Sequence, residues 1–381
     1  MFTQNRILLF VFIAGCGFLL ACQKPVTERF VIGSSLNLPT QPFNYANPPL
    51  PNFLADSFIA HFDNTPTDNP ISNWGATLGR VLFYDTDLSL TQTLSCASCH
   101  QQAFGFADTA RFSIGHTGGK TTRHGMALIN ARYYQNGRFF WDERAASLED
   151  QVLQPIQDSI EMGMTIERMI ERLQAKPYYP ILYRYAFGSE TINANRTAQA
   201  LAQFVRSIVS YRAKYDVARA DVKSRYEPFP KFTSQENAGK DLFMNNLTVN
   251  CGGCHNTDLF ISDQPRNNGS QLINTDPGIF IHTRNANDLG KFKAPSLKSI
   301  LLRKYYMHDA SLQGIDAVIE HYNIGILPNP NLDDHLVNSG TKLPQIMNLS
   351  QAEILALKAF LATLTDHALV SDEAFSNPFK K

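Results

Sequence analysis

The motif Cys96-Ala97-Ser98-Cys99-His100 and a second copy, Cys251-Gly252-Gly253-Cys254-His255, decide how this chain folds. In each copy, two thiols on one helical turn can reach both vinyl groups of a haem, and the next imidazole can bind its iron. A zinc site would need four ligands for each metal, and a redox dithiol would not need the histidine. The motifs therefore predict two covalently bound haems c, with His100 and His255 as iron ligands.

The amino terminus has the pattern of an export signal. Arg6 precedes an apolar run, Ile7 to Leu20, which is shorter than the about 20 residues that span a bilayer comfortably. The run ends in Leu19-Leu20-Ala21-Cys22, which resembles a lipoprotein signal-peptidase box. We predict a signal peptide over residues 1–22 and a lipid on Cys22, which would anchor the protein in the periplasm. A box ending at Cys16, ordinary secretion and an uncleaved anchor are the alternatives.

The six cysteines are all accounted for by these assignments. Cys16 leaves with the signal, Cys22 takes the lipid, and four cysteines belong to the two motifs. No pair remains for a disulfide bond.

The balance of charges argues against nucleic acid as a partner. The 381 residues include 34 basic and 34 acidic side chains, and no block of like charges stands out. We expect no nucleic-acid binding.

Composition divides the chain into segments. Seven prolines between residues 38 and 70 predict a Pro-rich tether over residues 23–70. Helical periodicity follows, including a helix from about Arg196 to Asp216 and one that starts at Ser350 with Glu353 as a capping box. Pro228 and Pro230 mark a boundary between domains at residues 71–230 and 231–381.

The two halves repeat a short pattern. Gly79-Arg80-Val81-Leu82-Phe83 precedes the first motif, and Gly239-Lys240-Asp241-Leu242-Phe243 precedes the second. This echo favours a duplicated haem module.

Beyond the motifs, the sequence resembles the bacterial di-haem cytochrome c peroxidases and their relative MauG over about residues 71–370. The matching blocks, in chain order, are residues 79–83, Ser95-Cys96-Ala97-Ser98-Cys99-His100, Phe140-Trp141-Asp142-Glu143-Arg144-Ala145-Ala146, Leu148-Glu149-Asp150-Gln151, Glu161-Met162-Gly163, Ala294-Pro295-Ser296-Leu297 and His308-Asp309. The resemblance implies a mainly α fold, with two cytochrome c-like haem domains packed face to face. It makes the domain of His100 peroxidatic and the second domain an electron-transfer domain.

The resemblance also implies roles at the first haem. Glu161 matches the family's acid/base, which moves a proton between the peroxide oxygens, and Gln151 matches a pocket residue that hydrogen-bonds peroxide. Trp141 matches an indole between the two haems. His116, in a glycine-rich loop, matches a detachable sixth ligand that MauG lacks. The alternatives are a helix N-terminal carboxylate for Glu161, a solvated side chain for Gln151, a core aromatic for Trp141 and a surface histidine for His116.

At the second haem, Tyr322 stands where the peroxidases have a methionine ligand and where MauG has tyrosine. His321, Met307 and Met347 are competing candidates for this ligand. An anionic phenolate favours ferric iron, whereas a thioether favours ferrous iron. His308 matches a residue near the second haem that is not a ligand, with a core histidine as the alternative.

A calcium ion between the domains is doubtful. The family's asparagine is His124 here, and its threonine and proline positions are Arg303 and Tyr305, none of which suits a hard cation.

The function implied is the reduction of hydrogen peroxide with electrons from a small cytochrome c or cupredoxin. Because of Tyr322, a MauG-like oxidase that acts on a partner protein is an alternative function. A non-catalytic di-haem electron carrier is the third possibility.

Overall fold

The computed structural model describes residues 23–246, 249, 251–262 and 264–380, so the predicted signal peptide and Cys22 lie outside the described residues. The described chain is mainly helical, which confirms the predicted fold class. One pair of two-residue strands, β1 (Tyr305–Tyr306) and β2 (Leu312–Gln313), is antiparallel, with Tyr305 opposite Gln313. No described helix is both long and apolar enough to cross a lipid bilayer.

The helices fall into two groups along the chain. The helices of the first half are α1 (Gln23–Ser35), α2 (Ser57–Ala60), α3 (Asn73–Tyr84), α4 (Cys96–Cys99), α5 (Leu148–Gln157), α6 (Ile166–Gln174), α7 (Tyr178–Phe187) and α8 (Ala194–Ser207). The helices of the second half are α9 (Lys214–Arg219), α10 (Ser234–Asn245), α11 (Cys251–Cys254), α12 (Phe280–Thr283), α13 (Gly314–Ile324) and α14 (Gln351–Ala362). Short 3-10 turns connect several of them.

The sequence echo between the halves corresponds to one packing arrangement used twice. Helix α3 packs on α8, and α10 packs on α14. A Cβ atom added at Gly79 would lie 1.9 Å from the backbone oxygen of Ala200, and one added at Gly239 would lie 1.9 Å from that of Ala356. Glycine at both positions therefore lets two helix backbones approach closely, directly before each haem motif.

Aromatic residues complete the repeated arrangement. The ring centroids of Phe83 and Phe204 are 5.2 Å apart in the first helix pair. Those of Phe243 and Phe360 are also 5.2 Å apart in the second pair. Such tilted pairs add to the stability that burial already provides.

The prediction of a Pro-rich tether over residues 23–70 is wrong for most of that segment. Leu36, Tyr45, Leu54, Ile59 and Phe62 are all buried in the first hydrophobic core. The prolines do interrupt regular structure, but the apolar residues between them pack on the domain instead of separating it from a lipid. Residues 36–62 therefore belong to the first domain.

The predicted domain boundary also needs correction. Tyr215 and Phe229 lie before residue 231 but are buried in the second core, with Phe243 and Phe360. At the other end, Phe375 returns to the first core. The second domain therefore begins near α9, and its carboxyl-terminal segment packs against the first domain.

The helix predicted from Arg196 to Asp216 is interrupted. It ends at Ser207, and side chains of other segments accept from backbone N–H groups that begin three residues later. Asn130 Oδ1 accepts from Ser210 N, and Asp366 Oδ2 accepts from Tyr211 N and Arg212 N. The capping box at Ser350 and Glu353 is confirmed at the start of α14.

The two domains meet through direct polar contacts. His124 N donates to His308 O at 2.8 Å, and Lys293 N donates to Trp141 O at 2.9 Å. Arg123 forms a bidentate ion pair with Asp276, with N–O distances of 2.7 and 2.8 Å. These contacts hold the two haem-motif domains against each other.

Candidate active site

The first haem motif forms a single helical turn, and the chain changes direction directly after it. Ser95 caps α4 in a capping box with Ser98, and the chain then turns at His100. His100 Nδ1 lies 3.3 Å from the backbone oxygen of Phe106. Because a carbonyl oxygen can only accept, Nδ1 carries the proton and Nε2 keeps the lone pair that an iron ligand needs. Burial lowers the pKa of His100, which favours the neutral form.

The second motif has the same local structure. Helix α11 contains Cys251 and Cys254, and His255 follows. Burial lowers the pKa of His255 to about 4, so its imidazole is neutral near pH 7. Phe260, like Phe106 in the first half, has a positive φ, and both phenylalanines close the loop after the motif.

Three of the motif cysteines are not activated thiols. Burial raises the pKa of Cys96 and of Cys251 to about 12 and that of Cys99 to about 11. Redox-active dithiols need a lowered thiol pKa. These three cysteines therefore suit covalent attachment of a prosthetic group better than dithiol redox chemistry.

Glu161 lies in the electrostatic surroundings of the first motif, where its carboxylate raises the pKa of both Cys96 and Cys99. Burial raises the pKa of Glu161 itself, the nearby Asp158 carboxylate raises it further, and Arg144 opposes both effects. An acid/base residue needs a carboxyl pKa moved up toward neutrality, and burial moves the pKa of Glu161 in that direction. The acid/base role of Glu161 stays a prediction.

His116 lies beside Glu161 but does not have a free Nε2. Its backbone N donates to Glu161 O at 2.9 Å, and its Nε2 lies 3.1 Å from Ser159 O. The ring packs so closely on Gly163 that a Cβ there would come within 2.3 Å of Nε2. In this conformation Nε2 has a hydrogen-bond partner and Nδ1 has none, and ligation by His116 stays a prediction.

Gln151 lies in the first turn of α5 and is partly buried. Ser147 caps the helix, so the direction of this turn is fixed by the hydrogen bond from Asp150 N to Ser147 Oγ. The role of Gln151 in binding peroxide stays a prediction.

Trp141 is held in a tight loop at the domain interface. Phe139 and Ala145 pair across the loop, and Phe140 and Glu143 both have positive φ. Such backbone conformations are unusual for bulky residues and persist only where the surroundings enforce them. The buried ion pair between Glu143 and Lys293, at 2.9 Å, fixes the loop to the second domain.

The second motif opens into a cavity of about 210 Å³. Trp141, His308, Tyr322, Met307 and Met347 all line this cavity, together with Cys251, Cys254 and His255. His321 does not line it, and its Nε2 lies 3.0 Å from Asn268 O. Of the candidate ligands, Tyr322, Met307 and Met347 therefore remain.

Asn268 links two of these candidates. Its Nδ2 donates to Met307 Sδ at 3.0 Å, and its side chain also bonds to Tyr322. Burial raises the pKa of Tyr322, and the bond to Asn268 opposes that shift. Sequence reasoning missed Asn268, because its contacts with Met307 and Tyr322 form only when the chain folds.

The cavity wall contains buried polar atoms that have no hydrogen-bond partner, which suits a site that binds a haem. His308 stacks on Phe292, with centroids 3.5 Å apart, but its Nε2 is buried without a hydrogen-bond partner. His124 Nε2 and Arg303 Nε are likewise enclosed without partners. Buried polar atoms are nearly always hydrogen-bonded, so a group from outside the chain should complete them. A haem brings two carboxylates, which can accept from Arg303 Nε and from a protonated Nε2 of His308.

The residues at the expected calcium position do not fit a calcium ion. His124 Nδ1 lies 3.1 Å from Arg111 O, and Arg303 places a guanidinium in the same wall of the cavity. Calcium needs several oxygen ligands, and a guanidinium repels it.

Two further residues are missed by the sequence reasoning. Arg144 acts electrostatically on Glu161, and its guanidinium lies 3.5 Å from the centre of the Phe140 ring. Arg123 pairs with Asp142 at 2.6 Å, beside Trp141. Asp142 and Arg144 are part of a block that resembles the family, which was the available signal.

Comparisons with known proteins identify the family of this chain. Residues 74–223 match the family described as di-haem cytochrome c peroxidase. Methylamine utilization protein MauG of Methylorubrum extorquens is 31% identical over 314 residues, which cover 78% of this chain and 80% of that protein. Cytochrome c551 peroxidase of Pseudomonas aeruginosa is 29% identical over 254 residues, or 64% of this chain and 70% of that protein.

A solved structure shows the same fold. The crystal structure of a MauG-like protein associated with microbial copper homeostasis has a TM-score of 0.72 and 31% identity, and the match covers 87% of this chain and 99% of that chain. With two equivalent motif turns and a relative of 31% identity over most of its length, this chain belongs to the di-haem cytochrome c peroxidase family, an enzyme family with haem c cofactors that includes MauG.

Proposed function

We propose that this chain reduces hydrogen peroxide to water in its first domain, with electrons that enter through its second domain. Cys96 and Cys99 would hold the first haem covalently, and Cys251 and Cys254 the second. His100 and His255 would bind the two irons. One observation carries the proposal: two equivalent motif turns have different surroundings, a partly buried carboxylate at the first and a largely apolar cavity at the second.

The reaction consumes two electrons and two protons and gives two water molecules from each peroxide. A haem bound at the first motif would supply the iron at which the O–O bond breaks. Glu161 would move a proton from one peroxide oxygen to the other, and burial moves its pKa in the direction that this role needs. Gln151 would orient peroxide by a hydrogen bond.

Trp141 would carry an electron between the domains. Its side chain lines the cavity of the second motif, and the chain after its loop leads into α5 of the first domain. The donor of the electrons would be a small cytochrome c or cupredoxin. The export signal and the lipid on Cys22 would place the protein in the periplasm, anchored to the cell envelope.

A MauG-like oxidation of a partner protein is the second candidate, and Tyr322 favours it. Its side chain lines the cavity of the second motif, where a phenolate ligand would stabilise oxidised iron. Such an enzyme would react with peroxide while ferric and would then remove electrons from residues of its partner.

Peroxide turnover by the mature holoprotein tests the proposal. A pyridine haemochrome assay should first give two haems for each chain. Steady-state oxidation of reduced cytochrome c by peroxide should then proceed with two cytochromes consumed for each peroxide. Rapid reaction of the ferric protein with peroxide, without turnover of any reduced donor, would support the MauG-like candidate instead. If neither assay shows a reaction, the non-catalytic electron carrier is the remaining function.

A further inference from the structure

The wall of the second cavity contains a cation that has no ionic partner among the described residues. Arg266, Lys293 and Arg303 all line the cavity. Arg266 pairs with Asp333 at 2.9 Å, and Lys293 pairs with Glu143 at 2.9 Å. Arg303 donates from Nη2 to Ser296 O at 2.9 Å, but none of the described residues forms an ion pair with it. Its Nε is enclosed without any partner.

A guanidinium removed from water is unfavourable unless a carboxylate or another anion neutralises it. Asp333 is the one carboxylate among the described residues that line the cavity, and Arg266 and His335 already bind it. None of the residues that the structure describes therefore supplies an anion for Arg303. A haem bound at Cys251 and Cys254 brings two carboxylates, and guanidinium is well suited to bind a carboxylate.

The neighbours of Arg303 place this cation at the domain interface. The side chains of His124, from the first domain, and of His308, from the second, line the same cavity, and each has a buried Nε2 without a partner. The backbones of these two histidines are joined by the hydrogen bond from His124 N to His308 O. A positive charge therefore lies where the family resemblance would have put a calcium ion.

We propose that Arg303 binds a carboxylate of the second haem and that its fixed charge replaces a divalent cation between the two domains. This inference rests on the proposed binding of haem at the second motif. Replacing calcium by a side chain makes the charge at the interface independent of the calcium concentration.

The first test measures calcium in the wild-type holoprotein. After two haems for each chain have been confirmed, the protein is dialysed against EGTA and then titrated with calcium chloride. We expect far less than one calcium for each chain by elemental analysis, no heat of binding, and no change in the haem spectra or melting temperature. One calcium for each chain, removed by EGTA with a spectral change, would overturn the replacement.

The second test measures the midpoint potential of the second haem in Arg303→Met. Loss of a nearby cation favours ferric iron, so the potential should fall, with a change on the order of tenfold in the ferric-to-ferrous ratio. Arg303→Lys should retain most of the potential. Lys304→Met is the matched control, because it removes the same charge from the adjacent, exposed residue and should leave the potential unchanged.

Each outcome of the second test decides the role of Arg303. Equal potentials in wild type and Arg303→Met would contradict the pairing. Loss of the second haem from Arg303→Met but not from Arg303→Lys would support it, and loss from both would count against a role for the charge. A wild-type chain without haem at Cys251 would instead contradict the proposed function.

Discussion

The indole Nε1 of Trp141 donates a hydrogen bond of 2.7 Å to the backbone oxygen of His124. The two residues come from different segments, and both line the cavity of the second motif. The same cavity wall contains His308, whose ring lies edge-on to the indole with centroids 6.5 Å apart. One hydrogen bond thus fixes the orientation of the aromatic group that lies between the two domains.

Trp141→Phe tests this orientation. The phenyl ring keeps most of the buried surface but leaves the His124 oxygen without its donor, so we expect a loss of stability of about 1–3 kcal/mol. Both haem spectra should remain close to wild type, while peroxide turnover with reduced cytochrome should fall. Trp74→Phe is the control, because Trp74 packs on Tyr185 and does not line the cavity. Unchanged turnover in Trp141→Phe would indicate that Trp141 is a core aromatic without a role in electron transfer.

Glu161→Gln should abolish proton transfer without changing the haems. The amide is nearly isosteric but cannot hold and release a proton, so we expect peroxide turnover to drop roughly 10²-fold or more. Glu167→Gln is the matched control, since Glu167 is an exposed carboxylate in the first turn of α6. If both variants keep wild-type rates, Glu161 is a structural carboxylate of the kind that Glu167 represents.

Gly239→Ala tests the duplicated helix pair. A methyl group at this position would meet the backbone oxygen of Ala356 at 1.9 Å, and a backbone atom cannot move aside as a flexible side chain can. We expect α10 and α14 to separate, with a loss of about 1–3 kcal/mol or more in the free energy of unfolding. Gly79→Ala should have a similar effect through Ala200.

Gly33→Ala is the control for both glycine substitutions. Nothing lies within 4 Å of a Cβ atom at Gly33 in α1, so the substitution should leave the melting temperature unchanged or raise it slightly. Unfolding of the holoprotein by heat measures all three variants. A Gly239→Ala protein as stable as wild type would show that the two helices do not need this close approach.

Local patterns predicted the parts of the fold that depend on a few neighbouring residues. The turns at Cys96 and Cys251 and the capping box at Ser350 are set by contacts within four positions of the chain. The echo at Gly79 and Gly239 was visible because both copies need glycine for the same helix packing.

Long-range contacts account for what the sequence did not reveal. Tyr45 lies among prolines, and its burial depends on Phe204 and Phe375, which are far away in the chain. The sequence showed that Arg303 does not suit calcium, but the burial of its Nε in the cavity wall depends on the fold. Pattern reasoning cannot assign such residues, because their partners come from other segments or from outside the chain.

Tyr322→Met tests which atom completes the second haem. If the phenolate of Tyr322 binds the iron, the ferric wild type should show a low-spin haem without a methionine-to-iron charge-transfer band and with a potential well below that of a His/Met haem. Replacing the anionic ligand with a thioether should raise this potential, since the preference for ferric iron is lost. Met307→Leu and Met347→Leu are the controls, because both thioethers line the same cavity and should be dispensable. A methionine band in the wild type that disappears in one of these controls would identify that methionine as the ligand and favour the ordinary peroxidase reaction over MauG-like oxidation.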